Sequence, residues 1–212
     1  EAVVEPEIAG INVRVAVIGG RFEAAARVDR PVLVGDGMTS PAAMIAVIDE
    51  DPRRGSWEQP GLHPMDRIGI DDEIERLLAH HGVTAHEPLP VGVRVEIVGE
   101  EAETIDITDT LHPGWAALCE RACTLLGVDV GGVDLRGPET AFNEPPPAVW
   151  HPGHAALLEV NVLPALHLHA LPTQGMPRPV FEAFVAYCVQ RPGAPRPCAE
   201  VGLYRRFGTM SG

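Results

Sequence analysis

The run Val13-Arg14-Val15-Ala16-Val17-Ile18 most constrains the fold of this chain. Its β-branched, apolar side chains favour an extended backbone, and Gly19-Gly20 turns it straight back into a second extended run over 22–28. Two such runs joined by two glycines read as a hairpin. Further short strands are expected at 32–34, 93–98, 128–135 and 155–162. Helices are expected at 42–49, 71–81, about 113–126 and about 178–190. Ser40-Pro41 supplies a cap and a first-position proline, while Gly82 and Gly127 mark helix ends. Residues 51–69 and 136–154 carry Pro, Gly and polar residues and read as loops; 191–212 reads as a tail with little periodicity. Strands and helices mixed without strict βαβ alternation indicate an α+β fold with one main unit over 1–190.

The bulk properties narrow the function. A formal net charge of −14 argues against a nucleic-acid surface, which needs clustered cations for its phosphate contacts. The same charge leaves nucleotide binding open, because carboxylates can hold a divalent metal that bridges to phosphate. All basic residues are Arg and none is Lys, so any phosphate contact within this chain falls to arginine. No apolar stretch reaches the ~20 residues that span a bilayer. The most apolar segment, 155–171, is broken by Glu159, Asn161, Pro164, His167 and His169. No basic-then-apolar leader is visible, so a cytoplasmic location without membrane partners is the expectation. Cys119 and Cys123, one helical turn apart in an apolar-periodic stretch, read as reduced core residues. The chain opens on Glu1 and enters Ala2-Val3-Val4 at once, which suggests that an N-terminal portion is missing.

The chemistry is concentrated in Leu157-Leu158-Glu159-Val160-Asn161. Alternate positions of a strand share a face, so Glu159 and Asn161 are expected on the same side. Burying two oxygen-bearing side chains in an apolar strand costs free energy unless something pairs with them, and a hard cation is one such partner. Asp134, in Gly131-Gly132-Val133-Asp134-Leu135, offers a second carboxylate on a second apolar strand. If the two strands pair, three oxygen donors converge. A one-sided sheet would present the same side chains to water, and spacing does not separate the two arrangements.

Several segments, in order along the chain, resemble the ATP-grasp ligases, in particular the ATP-grasp domains of cyanophycin synthetase and bifunctional glutathione synthetase. They are Val34-Gly35-Asp36-Gly37, Asp106-Ile107-Thr108-Asp109 with His112-Pro113, Gly132-Val133-Asp134-Leu135, Glu159-Val160-Asn161 with Pro164, and His169 with Pro172-Thr173-Gln174-Gly175-Met176-Pro177-Arg178. The resemblance covers most of residues 1–190 and implies an ATP-grasp-like C-terminal subdomain, a mixed or antiparallel sheet flanked by helices. It implies that Asp134, Glu159 and Asn161 hold Mg²⁺ against the phosphates of ATP. It also implies an adenine hinge in Val4-Glu5-Pro6-Glu7-Ile8, with Glu5, the Pro6 carbonyl and the Ile8 amide at the base and Asn12 near the ribose. Arg14 falls near phosphate or an acyl phosphate, and Arg178 near a substrate carboxylate.

The activity so implied is an ATP-dependent carboxylate–amine ligase acting on amino acids or small peptides. ATP phosphorylates a carboxylate, and an amine then displaces phosphate to give an amide. Such catalysis is mainly positioning and electrostatics, so no Ser-His-Asp or Cys-His nucleophile is needed. Three departures support an alternative, a truncated or degenerate module that binds nucleotide or a protein partner. A Gly-rich loop of the family is replaced by Ile97-Val98-Gly99-Glu100-Glu101-Ala102, whose paired glutamates would repel an anion. Ala165 and His167 stand where the family has Gly and Arg, and His167 and His169 are expected to alternate on an extended run. The lysines of the front half of the family's domain have no counterpart here. A homo-oligomer is compatible with these residues, which do not fix the oligomeric state.

Overall fold

The computed structural model describes residues 7–55, 65–97, 102–149, 151 and 153–191. In chain order its elements are β1 (Ile11–Ile18), β2 (Arg21–Asp29), β3 (Val32–Val34), α1 (Pro41–Ile48), β4 (Arg54–Gly55), β5 (Met65–Asp66) and α2 (Asp72–His80). There follow β6 (Arg94–Glu96), β7 (Glu103–Asp106), α3 (Pro113–Leu126), β8 (Val130–Gly137), a 3-10 turn (Glu139–Asn143), β9 (Ala156–Asn161), α4 (His167–Ala170) and α5 (Val180–Gln190). The expected hairpin is β1–β2, and it forms the middle of a five-stranded antiparallel sheet in the order β7-β2-β1-β8-β9.

One face of this sheet is apolar and packs on α3. Val13, Val15, Val17, Ala25, Val133 and Leu135 meet Trp115, Cys119 and Cys123 in a single cluster. Each such apolar side chain removed from water contributes on the order of 2 kcal/mol. The helix that covers them starts where the sequence places it: the ring nitrogen Nδ1 of His112 accepts the Gly114 N–H at 3.0 Å, and Pro113 occupies the first turn. Trp115 also secures the loop beyond β8, donating Nε1–H to the carbonyls of Ala141 (3.0 Å) and Glu144 (3.1 Å). Burial pushes the Cys119 thiol up to about 12, which keeps it an inert core group.

The opposite face is shared between two environments. At one end, Ala16, Ile18 and Ala24 pack beneath Leu166 and Val180 from the α4–α5 region. The rest of that face carries charge. A separate core built around Leu33, Ile45, Ile74, Leu78, Leu89 and Val95 lies beneath the β3–β6 pair and α1 and α2. Asp71 caps α2 by accepting the N–H groups of Glu73 (3.0 Å) and Ile74 (2.9 Å).

Several segments differ from the sequence reading: where 51–69 and 136–154 read as loops, Arg54–Gly55 pairs with Met65–Asp66, β8 runs on through Gly137, and Glu139–Asn143 forms a 3-10 turn. Glu103–Asp106 is a sheet strand, recruited by β2 and by the loop before α5 rather than by apolar periodicity of its own. His167 and His169 do not alternate on an extended run: Leu166, Leu168 and the packing beneath them close a helical turn at His167–Ala170. Of the expected tail, only Arg191 belongs to the described residues. No helix among the described residues is long and apolar enough to cross a membrane.

Candidate functional site

A single row of cross-strand partners crosses the whole sheet. Asp106 on β7 pairs with Ala26 on β2, Ala26 with Arg14 on β1, Arg14 with Asp134 on β8, and Asp134 with Glu159 on β9. Directly paired residues share a face, so the side chains of this row emerge on the charged side of the sheet. Strands lie about 4.8 Å apart, which makes the row roughly 19 Å long from end to end. Asn161 is two pairs further along, the next on the same face, opposite Gly132. A Cβ on Gly132 would stand 3.1 Å from the Pro164 Cβ and 3.8 Å from the Arg14 Cδ, so glycine leaves room beneath the cluster.

Three of the row's side chains and Asn161 are in direct contact. The Arg14 guanidinium donates Nε–H to Asp134 Oδ1 at 2.6 Å and Nη2–H to Asp134 Oδ2 at 2.7 Å, a two-point fork. The Asn161 amide donates to Asp134 Oδ2 at 2.9 Å and to Glu159 Oε1 at 3.1 Å. The convergence expected of Asp134, Glu159 and Asn161 is therefore present in the fold, with Arg14 added to it. Removal from water pushes the Asp134 carboxyl up while Arg14 pulls it down, and the facing Glu159 adds to the rise. Glu159 is held below its usual range, first by the Asn161 amide and then by Asp134. Two facing carboxylates titrate as a pair, and the first proton taken up goes to the more buried Asp134.

The donor set suits a hard divalent ion, for two carboxylates and an amide oxygen are the oxygen chemistry that Mg²⁺ takes. The set depends on the amide: among the described residues no group of three or more His, Cys, Asp or Glu side chains is placed to hold a metal.

The other end of the row is a second ionic cluster. Arg178 donates Nε–H to both oxygens of Asp106 at 3.0 Å and Nη2–H to Asp106 Oδ2 at 2.5 Å. It also reaches Asp109 through Nη1 (3.3 Å) and Nη2 (2.7 Å). Burial pushes the Asp106 carboxyl up, but hydrogen bonds from Arg178 and Thr108 outweigh it and hold the group below its ordinary value. Arg178 thus closes on the Asp106-Ile107-Thr108-Asp109 segment rather than projecting from a helix start.

His169 lies close to both clusters. It is 3% exposed, and its Nδ1 has no hydrogen-bond partner. Burial first, and then the Arg14 charge, push its pKa down to about 4, so the ring is neutral near pH 7.

The expected adenine hinge is described only in part. Glu5 and Pro6 lie outside the described residues. Ile8 and Asn12 are joined by a residue the sequence reading assigned to a loop: Arg136 donates Nε–H to the Ile8 carbonyl at 2.6 Å and Nη1–H to Asn12 Oδ1 at 2.5 Å. Arg136 follows Asp134 at the strand period and pairs with Asn12. That two-residue spacing was the available signal.

No family model matches the chain. Cyanophycin synthetase of Nostoc sp. is 28% identical over 183 residues, covering 84% of this chain and 19% of the relative. The bifunctional glutathione-biosynthesis protein of Streptococcus mutans is 28% identical over 177 residues, covering 81% of this chain and 22% of the relative. Among solved structures, a bifunctional glutathione synthetase from Pasteurella multocida superposes with a TM-score of 0.52 at 23% identity, over 84% of this chain and 24% of that one. The chain spans about a fifth of the length of the curated relatives. Its fold is that of the matched part of the bifunctional glutathione synthetase, and the chain resembles the ATP-grasp ligases in sequence and in architecture.

Proposed function

We propose that this chain supplies the Mg·ATP-binding part of an ATP-dependent carboxylate–amine ligase acting on amino-acid or small-peptide substrates. The observation that carries the reading is the contact group Arg14–Asp134–Glu159–Asn161, assembled from three adjacent strands on one face of the sheet. Asp134, Glu159 and the Asn161 amide oxygen would hold the metal, which when bound neutralises charge on the transferred phosphoryl group. Arg14 supplies a permanent positive charge beside it, suited to a phosphate or acyl phosphate. Arg178, at the far end of the row, is suited to orient a substrate carboxylate. Ile8 and Asn12, held together by Arg136, line the side on which the resemblance puts the nucleoside, with Glu5 and Pro6 as further contacts to the base. In such a reaction ATP phosphorylates the carboxylate and the amine displaces phosphate, so the protein's own task is to position and to exclude water.

Titration calorimetry with Mg·ATP tests the binding reading. Asp134→Ala and Glu159→Ala are each expected to weaken affinity by at least about tenfold. Unchanged affinity in both variants removes the metal-site assignment. Ligation is tested by ADP release across pairs of amino acids and dipeptides. The second reading, a module that binds nucleotide or a protein partner without catalysis, is favoured by the internal engagement of Arg178 with Asp106 and Asp109. Mg·ATP binding without ADP release for any pair would select it.

A further inference from the structure

Asp134 meets a cation in this structure, but the cation is a side chain. Both of its carboxylate oxygens accept from Arg14, at 2.6 and 2.7 Å, and Oδ2 accepts in addition from the Asn161 amide. Asn161 likewise turns its N–H groups, not its oxygen, toward Asp134 and Glu159. Asp134, the most enclosed of the oxygen donors a metal would need, is thus already engaged on both oxygens by charge-assisted bonds.

We propose that Arg14 is a tethered stand-in for the metal: it occupies Asp134 until a divalent cation takes its place, and loading the cation releases the guanidinium outward on the same face of the sheet. The proposal rests on the metal-site reading of Asp134, Glu159 and Asn161. Three physical points carry it. Arginine does not leave by losing its proton near neutral pH, so its release from Asp134 calls for a competitor, and a cation at the same oxygens is one. A divalent ion on Asp134 and a guanidinium forked onto both of its oxygens would repel each other at contact distance. The Asn161 amide must rotate by half a turn about its last bond to offer its oxygen, because facing carboxylates accept only N–H.

Arg14 has an outlet for the exchange, because its side chain is 25% exposed. The next position in the row from Arg14, away from Asp134, is Ala26, whose side chain is a single methyl group. Beyond it lies Asp106, already closed by Arg178. Ala26 itself is covered, at 1% exposure, so the released guanidinium swings outward toward solvent on the same face and not down onto the strand. The movement would place a positive charge between the metal group and the Arg178 cluster, where an anion bridging the two would lie. Empty, the site holds its own counter-ion; loaded, it gains a cation facing the substrate.

The test uses the 212-residue chain and Mn²⁺ alone, with free ion followed by electron paramagnetic resonance in the absence of nucleotide. Losing an internal competitor should tighten Mn²⁺ binding in Arg14→Gln and Arg14→Met by about tenfold or more. Asp134→Ala should abolish it. An arginine that merely positions Asp134 predicts weaker binding in both variants, and one reserved for phosphate predicts no change; either result overturns the proposal. If Asp134→Ala abolishes binding while the arginine variants behave in these ways, the metal site stands and only the exchange fails. If the wild type binds no Mn²⁺ at all, both readings fall. Should the variants not fold, the wild type still decides: the Arg14 Nε–H resonance must move on titration with Mg²⁺, and a resonance unchanged at saturation overturns the exchange.

Discussion

The backbone of Gly175 lies directly against Asp106: an added Cβ would stand 2.8 Å from the Asp106 Cβ, and the glycine has φ of +94°. The loop before α5 is tied to β7 around this contact. Thr173 donates its N–H to Thr104 Oγ1 at 3.1 Å, and Thr104 returns an N–H to Thr173 Oγ1 at 2.9 Å. Gly175→Ala should therefore cost about 2 kcal/mol or more in urea unfolding, through both the backbone conformation and the collision. Gly69, with φ of +60° and no atom within 4 Å of where a Cβ would stand, is the control, and alanine there should cost about 1 kcal/mol. Equal losses at the two positions would show that the loop yields around Asp106.

His169 makes stability depend on pH. In the unfolded chain the ring takes its proton near 6.5, but in the fold only near about 4. Between those values the unfolded state binds the extra proton, so stability is full above pH 6.5, falls as pH drops toward 4, and levels off below. The loss is roughly 3 kcal/mol across that window. Urea melts at about pH 7.5 and about pH 5 should show a steeper decline for the wild type than for His169→Leu. Parallel declines would exclude His169 as the source.

Arg136→Met should loosen residues 7–12 without unfolding the sheet. The substitution removes the donors to the Ile8 carbonyl and Asn12 Oδ1 but keeps an aliphatic stem on β8. Amide hydrogen exchange of that segment should quicken by about tenfold, since hydrogen bonds to a charged group contribute roughly 1.5–3 kcal/mol. The amides of Val15 and Val133 should be unaffected. Unaltered exchange at the hinge would mean that other contacts hold it.

Trp115→Ala should be among the costliest core changes, at about 3–5 kcal/mol by urea unfolding. The side chain is 1% exposed and carries both the α3–sheet packing and the two hydrogen bonds to the 138–149 loop. Trp115→Phe should retain part of the packing but remove the indole donor from the Ala141 and Glu144 carbonyls, for a smaller loss. A loss below about 1 kcal/mol for the alanine variant, within the range of ordinary surface changes, would contradict this role.

Local patterns made most elements readable. The hairpin follows from β-branched residues flanking Gly19-Gly20, and α3 from Pro113 at its start. What those patterns do not encode is register. That Arg14 lies opposite Asp134, and Arg136 opposite Asn12, depends on how strands more than a hundred residues apart align, and hydrophobic alternation cannot state it. β7 was hidden for a related reason: Glu103 and Asp106 weaken its apolar signal, and its strand conformation comes from partners on both sides. His167 and His169 have the spacing of alternate strand residues, but burial of Leu166, Leu168 and His169 together selects a helical turn.

The irregularity in β9 between the Asp134 and Leu135 pairings has a consequence for how this site can change over time. Leu157 pairs with Leu135 and packs against the apolar core, yet Glu159, two residues on, pairs with Asp134 on the other face. Leu158, 51% exposed, is the extra residue that absorbs the half-period. One residue thus separates the part of the strand that answers to packing from the part that answers to chemistry. A lineage could lose Leu158 and keep both partnerships, because regular alternation would then put Leu157 and Glu159 on opposite faces unaided. A single insertion between Glu159 and Asn161 has no such refuge, since it would turn one of the two away from Asp134.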